Sequence, residues 1–266
     1  MNQMVLRAFK PVLIGWVAWA ALAGPQRPSY LESLAAIEKS RAVALDYARS
    51  LPDFMCTEVI ERSADPRRIG RWLPADTLTV ELRYVDRMED HKLALIDGKP
   101  TEIQYESLGG AIGWGEFGAM LHDIFDPSSE AQFHWESWKN VRKHRAAVYS
   151  YVVEPSHSHY TLGFRVRDGW REGIVGFHGV VTIDGETGGV LHLSYDADHI
   201  PKSIGIEASS SSVDYDYAAV GGRDYLLPAT ADTVLESPQA WARNHAEFRG
   251  YRKFSSESTV DFGTAK

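Results

Sequence analysis

The chain has 266 residues, 44% of them apolar, with 28 basic against 36 acidic side chains and a net charge of −8. That apolar share builds a real core and excludes a disordered body, and the length suits one domain. The acidic balance excludes a nucleic-acid surface, because phosphates would be repelled.

The first segment has three parts. Met1–Lys10 carries Arg7 and Lys10 and no acid, Pro11–Ala23 is apolar throughout, and Ala21-Leu22-Ala23 is a small-x-small site before Gly24. This order predicts a cleavable secretory signal over 1–23 and a single β-rich domain over 24–266. The apolar run is well short of the roughly 20 residues that span a bilayer, and an uncleaved anchor is the alternative. Cleavage removes Arg7 and Lys10 and no acid, so the charge falls from −8 to −10. The localisation that follows is exported, periplasmic and soluble after cleavage.

Ser29-Tyr30-Leu31-Glu32 is a capping box, and a helix is expected from there to about Ser50, before Pro52. Tyr30, Leu34, Ile37, Ala44, Leu45 and Ala48 share one face at helical spacing. Arg41 falls in that face, either as a stem lying on apolar surface or as a buried ion pair with the sheet.

After the helix the period changes to two. Leu78-x-Val80-x-Leu82-x-Tyr84, Tyr160-x-Leu162-x-Phe164-x-Val166, Leu191-x-Leu193-x-Tyr195 and Val213-x-Tyr215-x-Tyr217 each alternate with polar or small residues. Runs at 54–62, 91–97, 131–138, 146–154, 174–183 and 251–262 also fit strands. Turns are marked at Asp97-Gly98, Asp168-Gly169, Asp184–Gly189 and Gly221-Gly222. The fold class is therefore mainly β (α+β): a large curved antiparallel sheet or incomplete barrel of about ten strands, which must curl to hide its edges. Cys56, the single cysteine, lies in the first strand. A packed structural thiol is expected there, with an intermolecular disulfide or a nucleophile as the alternative.

One element breaks the series. The glycine-rich stretch at 108–115 leads into a short helix at 115–125, in which Phe117, Met120, Leu121, Ile124 and Phe125 fall on one face and Glu116, Ala119, His122 and Asp123 on the other. Such a helix packs on the apolar face of the sheet, either as a lid on a glycine hinge or as fixed core.

Chemistry is sparse. The glycine stretch lacks the phosphate-loop ending, and no serine elbow or zinc-protease helix is present. His157-Ser158-His159 offers too few ligands for a metal site, and Ser209–Ser212 is expected as a kinked strand segment rather than a nucleophile. No catalytic residue, metal or cofactor is assigned. Two basic clusters stand beside tryptophans: Arg62, Arg67, Arg68 and Arg71 with Trp72, and Lys139, Arg142, Lys143 and Arg145 with Trp135 and Trp138. They suit an anionic membrane surface, or are solvated turns.

The late part of the chain is distinctive. The hairpin Gly179–Val190 with its Asp184-Gly185-Glu186-Thr187-Gly188-Gly189 turn, and the closing strands Val213-Asp214-Tyr215, Gly221-Gly222 and Tyr225-Leu226-Leu227-Pro228, resemble the periplasmic carriers of the outer-membrane lipoprotein-sorting type. Gly115-Glu116-Phe117-Gly118 through Ile124-Phe125 resembles a block in uncharacterised exported bacterial proteins. The resemblance covers about 29–262 in outline and is specific over about 174–228. It implies an incomplete barrel whose hollow face accepts acyl chains and is closed by helices, and hence a binding or carrier protein for a lipid or lipid-modified partner. It transfers no functional residue. On that expectation Phe117, Met120, Leu121, Ile124, Phe125, Phe164 and Tyr217 line the lid and hollow, and Arg67, Arg68, Arg71, Trp72, Trp138 and Lys143 face a membrane. The rivals are a structural or sensing module binding another envelope protein, its hollow filled by its own side chains such as Phe177, and an enzyme with a His or carboxylate site in the hollow. An open hollow favours the carrier, a filled one the module, and a polar cluster within it the enzyme.

Overall fold

The computed structural model describes residues 27–108, 116–166 and 169–254. The expected signal segment, the glycines at 109, 110, 113 and 115, the Asp168 turn, the side chain of Phe164 and the expected strand beyond residue 254 lie outside the described residues.

The first helix, α1 (Tyr30–Ser50), starts on the expected capping box: the Ser29 hydroxyl accepts from the Glu32 amide while Glu32 accepts from the Ser29 amide at 2.7 Å. There follow β1 (Phe54–Asp65), β2 (Leu73–Val85), β3 (Met88–Ile96), β4 (Lys99–Pro100), α2 (Ala119–Phe125), β5 (Gln132–Val141) and β6 (His144–Val153). Then come β7 (Thr161–Val166), β8 (Gly169–Ile174), β9 (Gly176–Asp184), β10 (Val190–Asp198), β11 (Ala208–Val220), β12 (Arg223–Glu236) and β13 (Trp241–Lys253).

One antiparallel sheet of 11 strands runs β4-β3-β2-β1-β13-β12-β11-β10-β9-β6-β5, and β7 and β8 form a separate hairpin. No pairing joins β4 to β5, so the curved sheet is an incomplete barrel. β1 pairs with β13 along its whole length, which puts the first and last described strands side by side in the interior of the sheet. The marked turns behave as their residues require. Asp97-Gly98 and Gly221-Gly222 take paired positive φ angles, the geometry that joins adjacent twisted strands in two residues. Asp184 accepts from the Glu186 and Thr187 amides within its longer turn. The Ser209–Ser212 segment pairs with β10 and β12 as ordinary strand, and the bulge falls beyond it at Asp214/Tyr215.

Both α-helices lie on the same face of the sheet. Phe54, Leu82, Tyr84, Tyr149, Tyr151, Phe177, Leu193 and Tyr215 point from the strands into one core, and Ile37, Ala44, Tyr47, Phe117, Leu121, Ile124 and Phe125 point down from the helices. The helices are also pinned by polar contacts. Tyr47 donates to the Leu226 carbonyl at 2.8 Å, Tyr84 to that of Ala48 at 3.0 Å, and Tyr215 to that of Glu116 at 3.0 Å. Within the sheet, Gly179 on β9 permits a close approach of the β10 backbone: a Cβ there would meet the Ser194 carbonyl oxygen at 1.9 Å.

Two expectations for α1 are corrected. Its buried residues are Ile37, Ser40, Ala44 and Tyr47, whereas Tyr30 and Leu34, placed on the buried face by their spacing, are 79% and 44% exposed. The first turns of the helix stand over open grooves lined by Phe133, Trp135 and Trp138 of β5 and by Arg145 and Tyr149 of β6, so the apolar stripe meets no packed surface at its start. Arg41 makes its ion pair with Glu38 of the same helix, at 3.4 Å, and not with a carboxylate of the sheet. Its guanidinium donates to the Phe125 carbonyl at 2.9 Å and so caps the C-terminus of α2.

Candidate functional site

The inserted helix sits at the centre of the hollow. Phe117, Met120, Leu121, Ile124 and Phe125 are all buried, between 0% and 6% exposed. The Phe117 ring lies 5.2 Å from that of Phe54, 6.0 Å from Tyr84 and 5.7 Å from Phe248, in tilted and edge-on contacts. Phe125 stacks on Phe133 of β5 at 5.4 Å. The helix begins on Gly118, whose φ of 121° and proximity to Tyr47 leave no room for a side chain. The middle of the hollow is thus filled by the protein's own side chains, Phe177 among them. Tyr217 is not in that core: it is 43% exposed and stacks near His144, with ring centres 6.0 Å apart.

Space remains along α1. Beside its N-terminal half a groove of about 590 Å³ runs between the helix and β5, lined by Tyr30, Leu34, Ile37, Ala131, Phe133 and Trp135, with Arg27, Glu38, Arg41 and His134 as polar members. Its volume falls in the range typical of small-molecule pockets, about 300–1,000 Å³. Beneath it Phe133 touches Phe125, the last residue of α2. Beside the C-terminal half, a smaller cleft of about 210 Å³ is lined by Val43, Tyr47, Leu121, Val190, Tyr217 and Leu226, among others.

The opposite flank of the hollow is polar and closed. Glu58 on β1 and Glu116 just before α2 line a void of only about 10 Å³ with Tyr105, Thr233 and Asn244. The His91 Nε2 atom lies 3.9 Å from Glu58 and 3.9 Å from Glu89, and its ring stacks on Tyr105. One Glu58 carboxylate oxygen has no hydrogen-bond partner. Burial, aided by the neighbouring Glu116 and Glu89, pushes the Glu58 carboxyl well above the usual range, and burial raises Glu116 as well. This cluster was not foreseen. Glu116 is buried, although helical spacing placed it on the polar face. The one available signal was Glu58 itself, an acid at an inward position between Cys56 and Ile60. A void of this size holds at most one water and no substrate.

The other candidates are resolved by their neighbours. Cys56 is buried, and burial together with Glu58 raises its thiol, so it packs as a small apolar group and not as a nucleophile. His157 sits on a single helical turn, 3.7 Å from Glu130, and among the described residues no group of three or more metal-ligating side chains converges.

The two basic clusters are not brought together. Arg67, Arg68, Arg71 and Trp72 occupy the β1–β2 connection, at the end of the sheet where Asp65 pairs with Trp241. Arg142 and Lys143 occupy the β5–β6 turn, whose neighbour across the sheet is the Asp184 end of β9, the opposite end. With strands of up to 14 residues between them, the clusters cannot share one flat surface. At the first tip Asp65 accepts from the amides of Arg67, Arg68, Ile69 and Arg71, which fixes the loop, and Arg68 pairs with Glu207. Trp72 lies 6.5 Å from Trp241. At the second, Trp138 lies under Arg145 at 4.1 Å.

No family model and no curated protein matches the chain. Solved structures do show similarity. A DUF1329 family protein from Desulfovibrio piger is 11% identical with a TM-score of 0.38, over 85% of this chain and 94% of its own. A protein described as an outer membrane lipoprotein-sorting protein domain, from Vibrio parahaemolyticus, is 11% identical with a TM-score of 0.34, over 85% of this chain and 94% of its own. A LolA superfamily protein from Nitrosomonas europaea is 6% identical with a TM-score of 0.31, over 88% of this chain and 97% of its own. Two of these bear the names of the group that the late strands resemble. At these scores the likeness assigns neither ligand nor residue roles to this chain.

Proposed function

We propose that this is an exported binding or carrier protein for a lipid or lipid-modified partner, which takes an acyl chain into the groove between α1 and β5. The observation that carries the reading is the groove itself: an apolar trough at the open edge of an incomplete barrel, with Phe125 of α2 as its inner limit. Each methylene desolvated there contributes about 0.8 kcal/mol. Arg27 and Arg41 stand in its walls, where an anionic or polar head group would rest. A longer chain reaches the hollow only if α2 moves, which makes the helix a lid in this reading. Among the described residues no helix is long and apolar enough to cross a membrane.

The test is mass spectrometry of intact protein purified without detergent, followed by titration with a fluorescent fatty acid. Leu34 is 44% exposed and lines the groove, so Leu34→Glu leaves the core intact and should weaken uptake at least tenfold. Amide exchange in α2 should rise as fatty acid binds. Absence of lipid, together with uptake that ignores Leu34→Glu, refutes the reading. The filled centre of the hollow would then favour a non-catalytic structural or sensing module.

A further inference from the structure

The exposed start of α1 has a chemistry that points to its counterpart. Tyr30, Leu31 and Leu34 are 79%, 73% and 44% exposed, a large apolar cost to leave in water on one turn of helix. They adjoin two half-buried tryptophans with cations on their faces: Arg27 lies 5.6 Å over Trp135 and Arg145 lies 4.1 Å over Trp138. Arg27, Glu32, Trp138 and Arg145 line one hollow beneath the helix start, and Lys143 stands two residues before Arg145 in the adjoining turn.

Four carboxylates of this corner are engaged. Glu32 is folded onto the Ser29 amide, Glu136 accepts from Ser150 at 2.6 Å, Asp184 lies 2.7 Å from His144, and Asp216 lies 3.2 Å from Arg142. Arg27, Lys143 and Arg145 make no ion pair among the described residues. A chain with a net charge of −8 therefore presents here an apolar turn rimmed by cations and tryptophan, the composition suited to the head-group layer of an anionic bilayer.

We propose that the corner formed by the start of α1 and the β5–β6 turn docks on an anionic lipid bilayer, with Leu31 and Tyr30 entering the head-group region and the mouth of the α1–β5 groove facing the membrane. This rests on the groove being the lipid port, but the docking is measured separately. It replaces the two-cluster membrane surface, since only this end of the sheet joins cations to the groove.

The test is sedimentation of the full chain with phosphatidylcholine vesicles, with and without phosphatidylglycerol. Binding should require the anionic lipid and weaken with salt, because exposed charges are screened over about 8 Å at physiological ionic strength. Leu31→Glu should lower binding more than tenfold. Lys143→Asn, which keeps a residue tolerant of the positive φ of 76°, should lower it about fivefold, the effect of one cation near such a surface. Ile69→Glu, at the opposite tip, should leave it unchanged. Neither Leu31 nor Lys143 lines the groove, so both variants should keep uptake of free fatty acid; unaltered protein that binds anionic vesicles but takes up no fatty acid would refute the port and not the docking surface. Equal binding to neutral and anionic vesicles, indifference to Leu31→Glu, or dependence on Ile69 overturns the proposal.

Discussion

Replacing Glu58 by glutamine should make the protein more stable at neutral pH and flatten its pH dependence. Glu58 is 5% exposed, one of its oxygens lacks a hydrogen-bond partner, and Glu116 shares its small void. Burial and the neighbouring acids raise its folded pKa well above the ordinary value. The folded state therefore holds a proton that the unfolded chain releases near 4.5. The sign follows: stability is complete below that value and is lost as pH rises through the raised folded value. Each pH unit over which Glu58 alone keeps its proton costs about 1.4 kcal/mol, so two units cost about 3 kcal/mol. For a domain of this size that is a fall of roughly 6–12 °C in Tm. Glu58→Gln keeps the shape and removes the titration. Thermal unfolding of both proteins from pH 5.5 to 7.5 checks this. The difference between the two curves is the quantity to read. Parallel curves would refute the idea that Glu58 stays protonated in the fold.

Further outcomes are expected. Phe117→Ala removes a ring that packs on Phe54, Tyr84 and Phe248 and should destabilise by about 3–5 kcal/mol in urea, with an unchanged m value. Asp65→Ala should leave the 65–72 loop without its anchor and speed amide exchange at Ile69 and Arg71, which both bond its carboxylate at 2.8 and 2.9 Å. Burial acts to raise the Asp65 carboxyl, but the amides of Ile69, Arg71, Arg67 and Gly70 hold it below the usual range; its contribution is complete above the ordinary value and is lost as pH falls through the depressed one. N-terminal sequencing of exported protein should begin at Gly24, and full-length chain in the membrane fraction would count against cleavage.

Strands with strict alternation were legible from residues alone. β2 needs only Leu78, Val80, Leu82 and Tyr84, all buried, to declare its inner face. β12 and most of β13 were not, because their inner positions are small or polar. Ala242, Asn244 and Ala246 sit where large apolar residues are expected, and Pro228 falls inside β12. That proline faces Tyr215 at the β11 register shift, and on its other side β12 pairs with β13 only from Thr230 onward. The period of α1 was visible, but where the helix meets no packed surface is set by the sheet beneath it. The groove arises from the same gap. The Glu58–Glu116 neighbourhood depends on a meeting of β1 with the approach to α2, far apart in sequence, and scattered acids give no sign of which two will meet.

The two borders of the sheet differ, and this limits how copies can associate through their backbones. On one side β4 is two residues long, ends in Pro100, and is continued by Thr101, whose amide bonds the Ala94 carbonyl. On the other, β5 offers ten residues with no strand beyond it among the described residues. A second chain joining there by its own β5 would use up the long border of both. Growth by strand addition then terminates at a pair, and an open-ended fibre has no place to start.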